Sequence, residues 1–132
     1  MTVLVVDDQP ANRALMEYLL QRLGHRARAV EDAQSALAAI AQEKPYLILM
    51  DVQLPGIDGL ELTRRIKGNA ATEDIIIVAV TSYAMSGDRE CALAAGCDGY
   101  LAKPIDMASF SSTVTEFYAK RQRADTIGRE CP

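Results

Sequence analysis

Five short apolar runs punctuate this chain, and between them the apolar residues return every three or four positions. Val3 to Val6, Tyr46 to Met50 and Ile75 to Val80 are apolar at every residue, the pattern of strands buried on both faces of a parallel sheet. Arg26 to Val30 and Gly99 to Ala102 are weaker runs, expected as the second and fifth strands. After the first strand, Gln9-Pro10 opens a helix whose Leu15, Met16, Leu19, Leu20 and Leu23 keep to one face, with Gly24 as its stop. Asp32 is expected to cap a second helix with Ala36, Leu37 and Ile40 inward, ended before Pro45 by the extended geometry that a pre-proline residue prefers.

Leu60 to Lys67 predicts a third helix, with Leu62 and Ile66 on the sheet, the basic group Arg64, Arg65 and Lys67 on a solvated face, and Gly68-Asn69 closing it. A polar turn, with Ser86 or Asp88 near the cap, leads to an alanine-rich fourth helix that runs through Ala95 to a stop at Gly96. Few large apolar residues anchor that helix, so it is expected to be the most loosely held. Asp106 caps the last helix, which carries Met107, Phe110, Val114 and Phe117 at helical spacing. Beyond Tyr118 the pattern turns basic and polar, so residues 1–118 are expected to form the domain and 119–132 a helical extension or an arm. Strand and helix alternate five times, which predicts an α/β fold: a five-stranded parallel sheet with helices on both faces.

Composition narrows the function without choosing it. A chain of 132 residues, 49% hydrophobic and 24% charged, is one ordinary globular domain. The net charge of -4 and pI near 4.9 lack the basic footprint of a nucleic-acid binder. No apolar run is long enough to span a bilayer, and Met1-Thr2 enters the first strand with no basic leader, so a cytoplasmic protein is expected. Cys91, Cys97 and Cys131 have no metal-ligand spacing and read as reduced thiols.

The chemistry gathers where the strands end. Asp7-Asp8, Asp51, Thr81-Ser82 and Lys103 all stand at carboxyl ends of predicted strands, where open α/β sheets form their crevice. Three carboxylates converging there repel one another unless a cation joins them. With oxygen ligands and no His or Cys nearby, that cation is expected to be Mg²⁺. Metal, lysine, hydroxyl and carboxylate are the parts of a phosphoryl-transfer site, with Asp51 the candidate nucleophile and Thr81 and Lys103 the candidate phosphoryl contacts. The chain has no P-loop and no nucleotide fingerprint, so the phosphate is expected from another molecule.

These residues, in this order and each at a strand end, resemble the response-regulator receiver domain of two-component signalling from Val3 to about Tyr118. Asp7-Asp8 match the acidic pair, Asp51 the phosphoacceptor, Thr81 the switch hydroxyl, Lys103-Pro104 the lysine before a usually cis proline, and Pro55 and Gly59 the loop residues. The resemblance implies a flavodoxin-like sheet of order 2-1-3-4-5. It implies Mg²⁺ held directly by Asp8, partly through water by Asp7, and by Asp51 and the backbone carbonyl of Gln53. It makes Tyr100 the aromatic switch that follows Thr81, and Gln53 and Tyr83 the residues that flank the water ending the phosphorylated state.

A phosphorylation-controlled signalling module is therefore expected. It would take its phosphoryl group from a histidine kinase or phosphotransfer protein and change a partner-binding surface on the fourth helix, fifth strand and last helix, as a monomer or a phosphorylation-dependent homodimer. Kinase docking is expected at Ala11, Asn12, Leu15, Met16 and Ile105, with Met16 favoured over Leu15 as the exposed docking residue. Two other readings remain open. A phosphatase resembling the haloacid-dehalogenase group needs a second aspartate two residues after its nucleophile, where this chain has Gln53. A receiver-like scaffold that takes no phosphate must explain why all five key positions are filled. The start at Met1, close to the first strand, favours a free-standing protein.

Overall fold

The computed structural model describes residues 2–51, 59–81, 93–102 and 105–130, the last ten by backbone alone. Five strands, β1 (Thr2–Val6), β2 (Arg26–Val30), β3 (Leu47–Asp51), β4 (Ile76–Thr81) and β5 (Gly99–Ala102), pair in parallel in the order β2-β1-β3-β4-β5. Helices α1 (Pro10–Arg22), α2 (Ala33–Gln42) and α3 (Gly59–Lys67) and a last helix, Met107–Glu130, complete the described elements. The expected fourth helix falls largely outside the described residues, apart from a helical stretch at 93–95 that stops at Gly96.

Two-residue alternation sorts the apolar strands between two cores. Val3, Val5, Leu47, Leu49, Val78 and Val80 face α1 and the last helix, against Met16, Leu19, Leu20, Phe110 and Val114. Leu4, Val6, Ile48, Met50, Ile77 and Ala79 face the other way, against Ala36, Ile40, Leu62 and Ile66 of α2 and α3. Burial on both faces is why these strands read as continuous apolar runs.

Local chemistry ends the helices as well as starting them. Pro10 stands at the first helical position of α1, where its missing N–H costs nothing. At the other end Gly24 takes φ 85°, so its N–H reaches the Gln21 carbonyl and the His25 N–H the Leu20 carbonyl, a Schellman closure. Asp32 and Asp106 cap as expected, accepting from the N–H of Ser35 at 2.7 Å and of Ser109 at 2.8 Å. Gly99 matters for a different reason. A β-carbon there would lie 2.8 Å from the edge of the Phe117 ring, so a larger residue would have to push that ring aside.

Four expectations need correction. Met16 is 1% exposed and Leu15 39%, the reverse of the assignment that favoured Met16 as the exposed docking residue. With about 100° of rotation per residue, Leu15 lies about 90° from the centre of the buried stripe, so α1 turns it outward. Leu37 is exposed for the same angular reason, and Met107, the first residue of its helix, is exposed as well. Lys67 was expected in a solvated basic group with Arg64 and Arg65. Instead its Nζ donates to the Ile75 carbonyl and to Asp98 Oδ2, both at 2.7 Å.

Candidate functional site

Strand order determines where the site forms. The chain leaves β1 for β2 on one side and leaves β3 for β4 on the other, so the connections diverge between β1 and β3 and open a crevice at their carboxyl ends. Register fills it. Val6 pairs with Met50, so one residue further along the two strands Asp7 comes beside Asp51. Asp51 pairs with Val80, which puts Thr81 one step beyond it on β4. Asp7, Asp51 and Thr81 are buried and Asp8 is exposed. One carboxylate oxygen from each of Asp7, Asp8 and Asp51 lies within 4.8 Å of the other two.

The backbone around Asp7 is tightly held. Its N–H donates to the Val30 carbonyl at 3.1 Å, its Oδ1 accepts from the Gln9 N–H at 2.9 Å, and its carbonyl accepts from Arg13 Nη1 at 2.8 Å. Even at an effective dielectric of about 20, Asp7 and Asp51 at such a separation repel by at least about 3 kcal/mol. A domain's whole stability is of order 5–15 kcal/mol, so a cation at this cluster has a large effect. The donor set fits a hard divalent ion: three carboxylates, one of them open to solvent, and no soft ligand in the cluster.

Tyr100 is half-buried and packs against the core that also holds Ile77 and Ala79. It pairs with Ala79, and Thr81 pairs with Ala102, so alternation puts Thr81 and Tyr100 on one face of neighbouring strands. Beside Tyr100, an open hollow of about 830 Å³ runs along β5 and the last helix past Ala102, Ser109 and Thr113. Ala11 is exposed, Asn12 and Ile105 are half-buried, and Leu15 supplies apolar surface on the same helix as Ala11. Gln53, Tyr83, Lys103 and Pro104, like Pro55, lie outside the described residues.

The sequence reading missed Arg13, whose side chain returns to the backbone of Asp7. It also missed a cluster at the opposite end of the sheet, where the rings of His25, Tyr46 and Tyr118 meet with centroids 5.0–5.8 Å apart. The spacing of one histidine and two tyrosines along the chain carries no periodic signal; only the fold brings them together. Cys97 is a free, buried thiol near Thr63, and burial pushes its pKa up, which keeps it unreactive.

A doubly wound parallel sheet with three carboxylates and a hydroxyl at its switch point defines a class, the α/β modules that carry an acidic site at the strand ends. Comparison with known proteins narrows the class to a family. The response regulator receiver domain matches residues 3–115. The polar-differentiation response regulator DivK of Brucella anthropi is 34% identical over 116 residues, 88% of this chain and 94% of that protein. A CheY-like receiver domain protein from Methanospirillum hungatei superposes with TM-score 0.85 at 26% identity, covering 93% of this chain and 97% of its own. The receiver domain of a sensor histidine kinase from Pseudomonas aeruginosa, solved with a magnesium ion in its active-site cleft, superposes with TM-score 0.80 at 35% identity, covering 88% and 95%.

This chain belongs to the response-regulator receiver family and is a phosphorylation-controlled signalling module. Its relatives are regulators, and nothing in the comparisons favours the phosphatase reading. Receiver domains work with histidine kinases and with downstream targets. Among the described residues no helix is long and apolar enough to cross a membrane.

Proposed function

We propose that Asp51 is the phosphoacceptor and that Mg²⁺ is held beside it by Asp7, Asp8, Asp51 and the Gln53 carbonyl. The observation that carries this reading is the buried Asp51 at the end of the central strand, with two more carboxylates within 4.8 Å. An Asp51 oxygen forms the new O–P bond as the P–N bond of the donor phosphohistidine breaks; the imidazole leaves with the electron pair on that nitrogen and is neutral because its other ring nitrogen already carries a proton. Mg²⁺ supplies positive charge for the phosphoryl oxygens. Thr81 donates a hydrogen bond to one of them and Lys103 neutralises another, so Thr81 is drawn toward Asp51 and Tyr100 follows on the same face of the sheet. The surface around the 830 Å³ hollow then changes shape for a partner.

The protein acts in the cytoplasm, catalyses nothing beyond its own phosphorylation and slow dephosphorylation, and is a monomer or a phosphorylation-dependent dimer. Residues 1–118 form the receiver and 119–132 an extension, whose backbone continues the last helix to Glu130. Gln53 and Tyr83 set the phosphoryl lifetime by controlling access of an in-line water, so Tyr83→Ala shortens the decay of donor-free phosphoprotein. The kinase docks on Ala11, Asn12, Leu15 and Ile105, and exposed Leu15 takes the role first given to Met16. Leu15→Asp then slows transfer from the kinase and leaves reaction with acetyl phosphate unchanged; an equal loss with both donors removes the docking role.

Incubation with acetyl phosphate and Mg²⁺ tests the whole reading. A persistent acyl phosphate supports it, rapid release of inorganic phosphate means a phosphatase, and no reaction means a scaffold.

A further inference from the structure

The turn that carries Asp7 and Asp8 is held by a side chain outside the carboxylate cluster. Arg13 is the fourth residue of α1, and its guanidinium folds back so that Nη1 donates to the Asp7 carbonyl at 2.8 Å in a partly buried position. That carbonyl belongs to the peptide joining Asp7 to Asp8. The amide on the other side of Asp7 is fixed by Val30, and its carboxylate by the Gln9 N–H. Asp7 is also buried, so packing fixes its side chain independently of Arg13. Asp8 differs. It is exposed, so the direction in which its carboxylate leaves the backbone depends on the 7–8 peptide rather than on packing.

We propose that Arg13 is a positioning residue for the metal ligand Asp8, acting through the main chain. The inference rests on the Mg²⁺ reading above and deepens it. A guanidinium has the reach and the directed N–H groups to hold a carbonyl six residues back along the chain, and its own charge requires no carboxylate partner to do so. Two consequences of removing it have opposite signs. Losing a positive charge beside three carboxylates strengthens cation binding, whereas releasing the peptide lets Asp8 turn away and weakens it. Arg13 is only partly buried, so solvent screens its charge, while a hydrogen bond to a backbone carbonyl is a contact effect that screening does not reach. The positioning effect is therefore the larger.

Mg²⁺ titrations of the full chain, followed by NMR amide shifts, test this with Arg13→Met, Arg13→Lys and Asp8→Ala beside the parent. Arg13→Met is expected to weaken Mg²⁺ binding by about tenfold, the usual scale for removing a group that orients a metal ligand. Arg13→Lys keeps a donor and recovers most of that loss. In the metal-free protein the Asp8 amide exchanges faster in Arg13→Met than in the parent. If Arg13→Met binds Mg²⁺ as tightly as the parent, or more tightly, while Asp8→Ala loses binding, the positioning role is overturned and the metal reading stands. Arg13→Lys as weak as Arg13→Met, or unchanged exchange at Asp8, also overturns it. A parent that binds no Mg²⁺ removes the metal reading, and this inference with it.

Discussion

The two ends of the sheet are built from the same strands and behave in opposite ways. At the carboxyl ends, Asp7, Asp8 and Asp51 crowd three like charges within 4.8 Å. At the amino ends, polar groups are matched and rings fill the space. Tyr46 N–H donates to the Thr2 carbonyl and its own carbonyl accepts from Ile76, while Tyr46, His25 and Tyr118 pack edge to face or tilted. Nearby, Asp98 Oδ2 accepts from both Lys67 and the Ile77 N–H, which fastens the entry of β5 to α3 and β4. One end is arranged for stability and the other holds repulsion that a bound cation would relieve. Sequence neighbours do not explain the difference; parallel pairing does, because it sends every strand's chemistry to one edge.

The sharpest way to break this contrast is Asp8→Ala. Loss of one of the three carboxylates should abolish measurable Mg²⁺ binding, and with it the Mg²⁺-dependent stabilisation, about 2.7 kcal/mol at a hundredfold excess over Kd, that raises the parent's melting temperature. Metal-free Asp8→Ala should be no less stable than the parent, because a repulsive charge has gone. If Mg²⁺ still raises its melting temperature as in the parent, the carboxylates are not ligands. Tyr46→Ala makes the converse change. Removing a buried ring should cost about 3–5 kcal/mol of stability and leave Mg²⁺ affinity unaltered. A matching loss of Mg²⁺ affinity would show that the two ends are coupled.

The smallest effect is a pH dependence at the amino end. Burial holds the His25 pKa below its ordinary value of 6.5, so the unfolded chain binds this proton more readily than the folded one. The contribution of neutral His25 is fully present above about pH 6.5 and is lost as the pH falls from there through the folded-state pKa. His25→Phe should flatten denaturation midpoints across that window, and a variant that keeps the parent's slope would assign the dependence to other groups.

The central strands and the acidic positions were legible in the sequence because each rests on a local pattern: apolar runs for β1, β3 and β4, and a polar break where each ends. The existence of α1, α2, α3 and the last helix was equally legible, but helix phase was not. Leu15 and Met16 are both apolar, and which one faces the sheet depends on where α1 sits, which no spacing within α1 contains. The same limit applies to Leu37 on α2. Arg13, Lys67 and the His25–Tyr46–Tyr118 group escaped for another reason. Each acts on a partner supplied by a different element or by the backbone, and a charged or aromatic residue on its own segment reads simply as surface or as core. Asp51 was assigned just past its strand, and the structure makes it the last residue of β3 because Val80 still pairs with it.

The central claim is that the carboxyl-end cluster exists to make Asp51 a phosphoacceptor. Intact-mass measurement after incubation with acetyl phosphate and Mg²⁺, on the parent and on Asp51→Asn, tests it most directly. The account predicts a single added phosphoryl group on the parent, dependent on Mg²⁺, and none on Asp51→Asn. An unlabelled parent, or an Asp51→Asn variant that still gains an acid-labile phosphoryl group to the same extent, would contradict it.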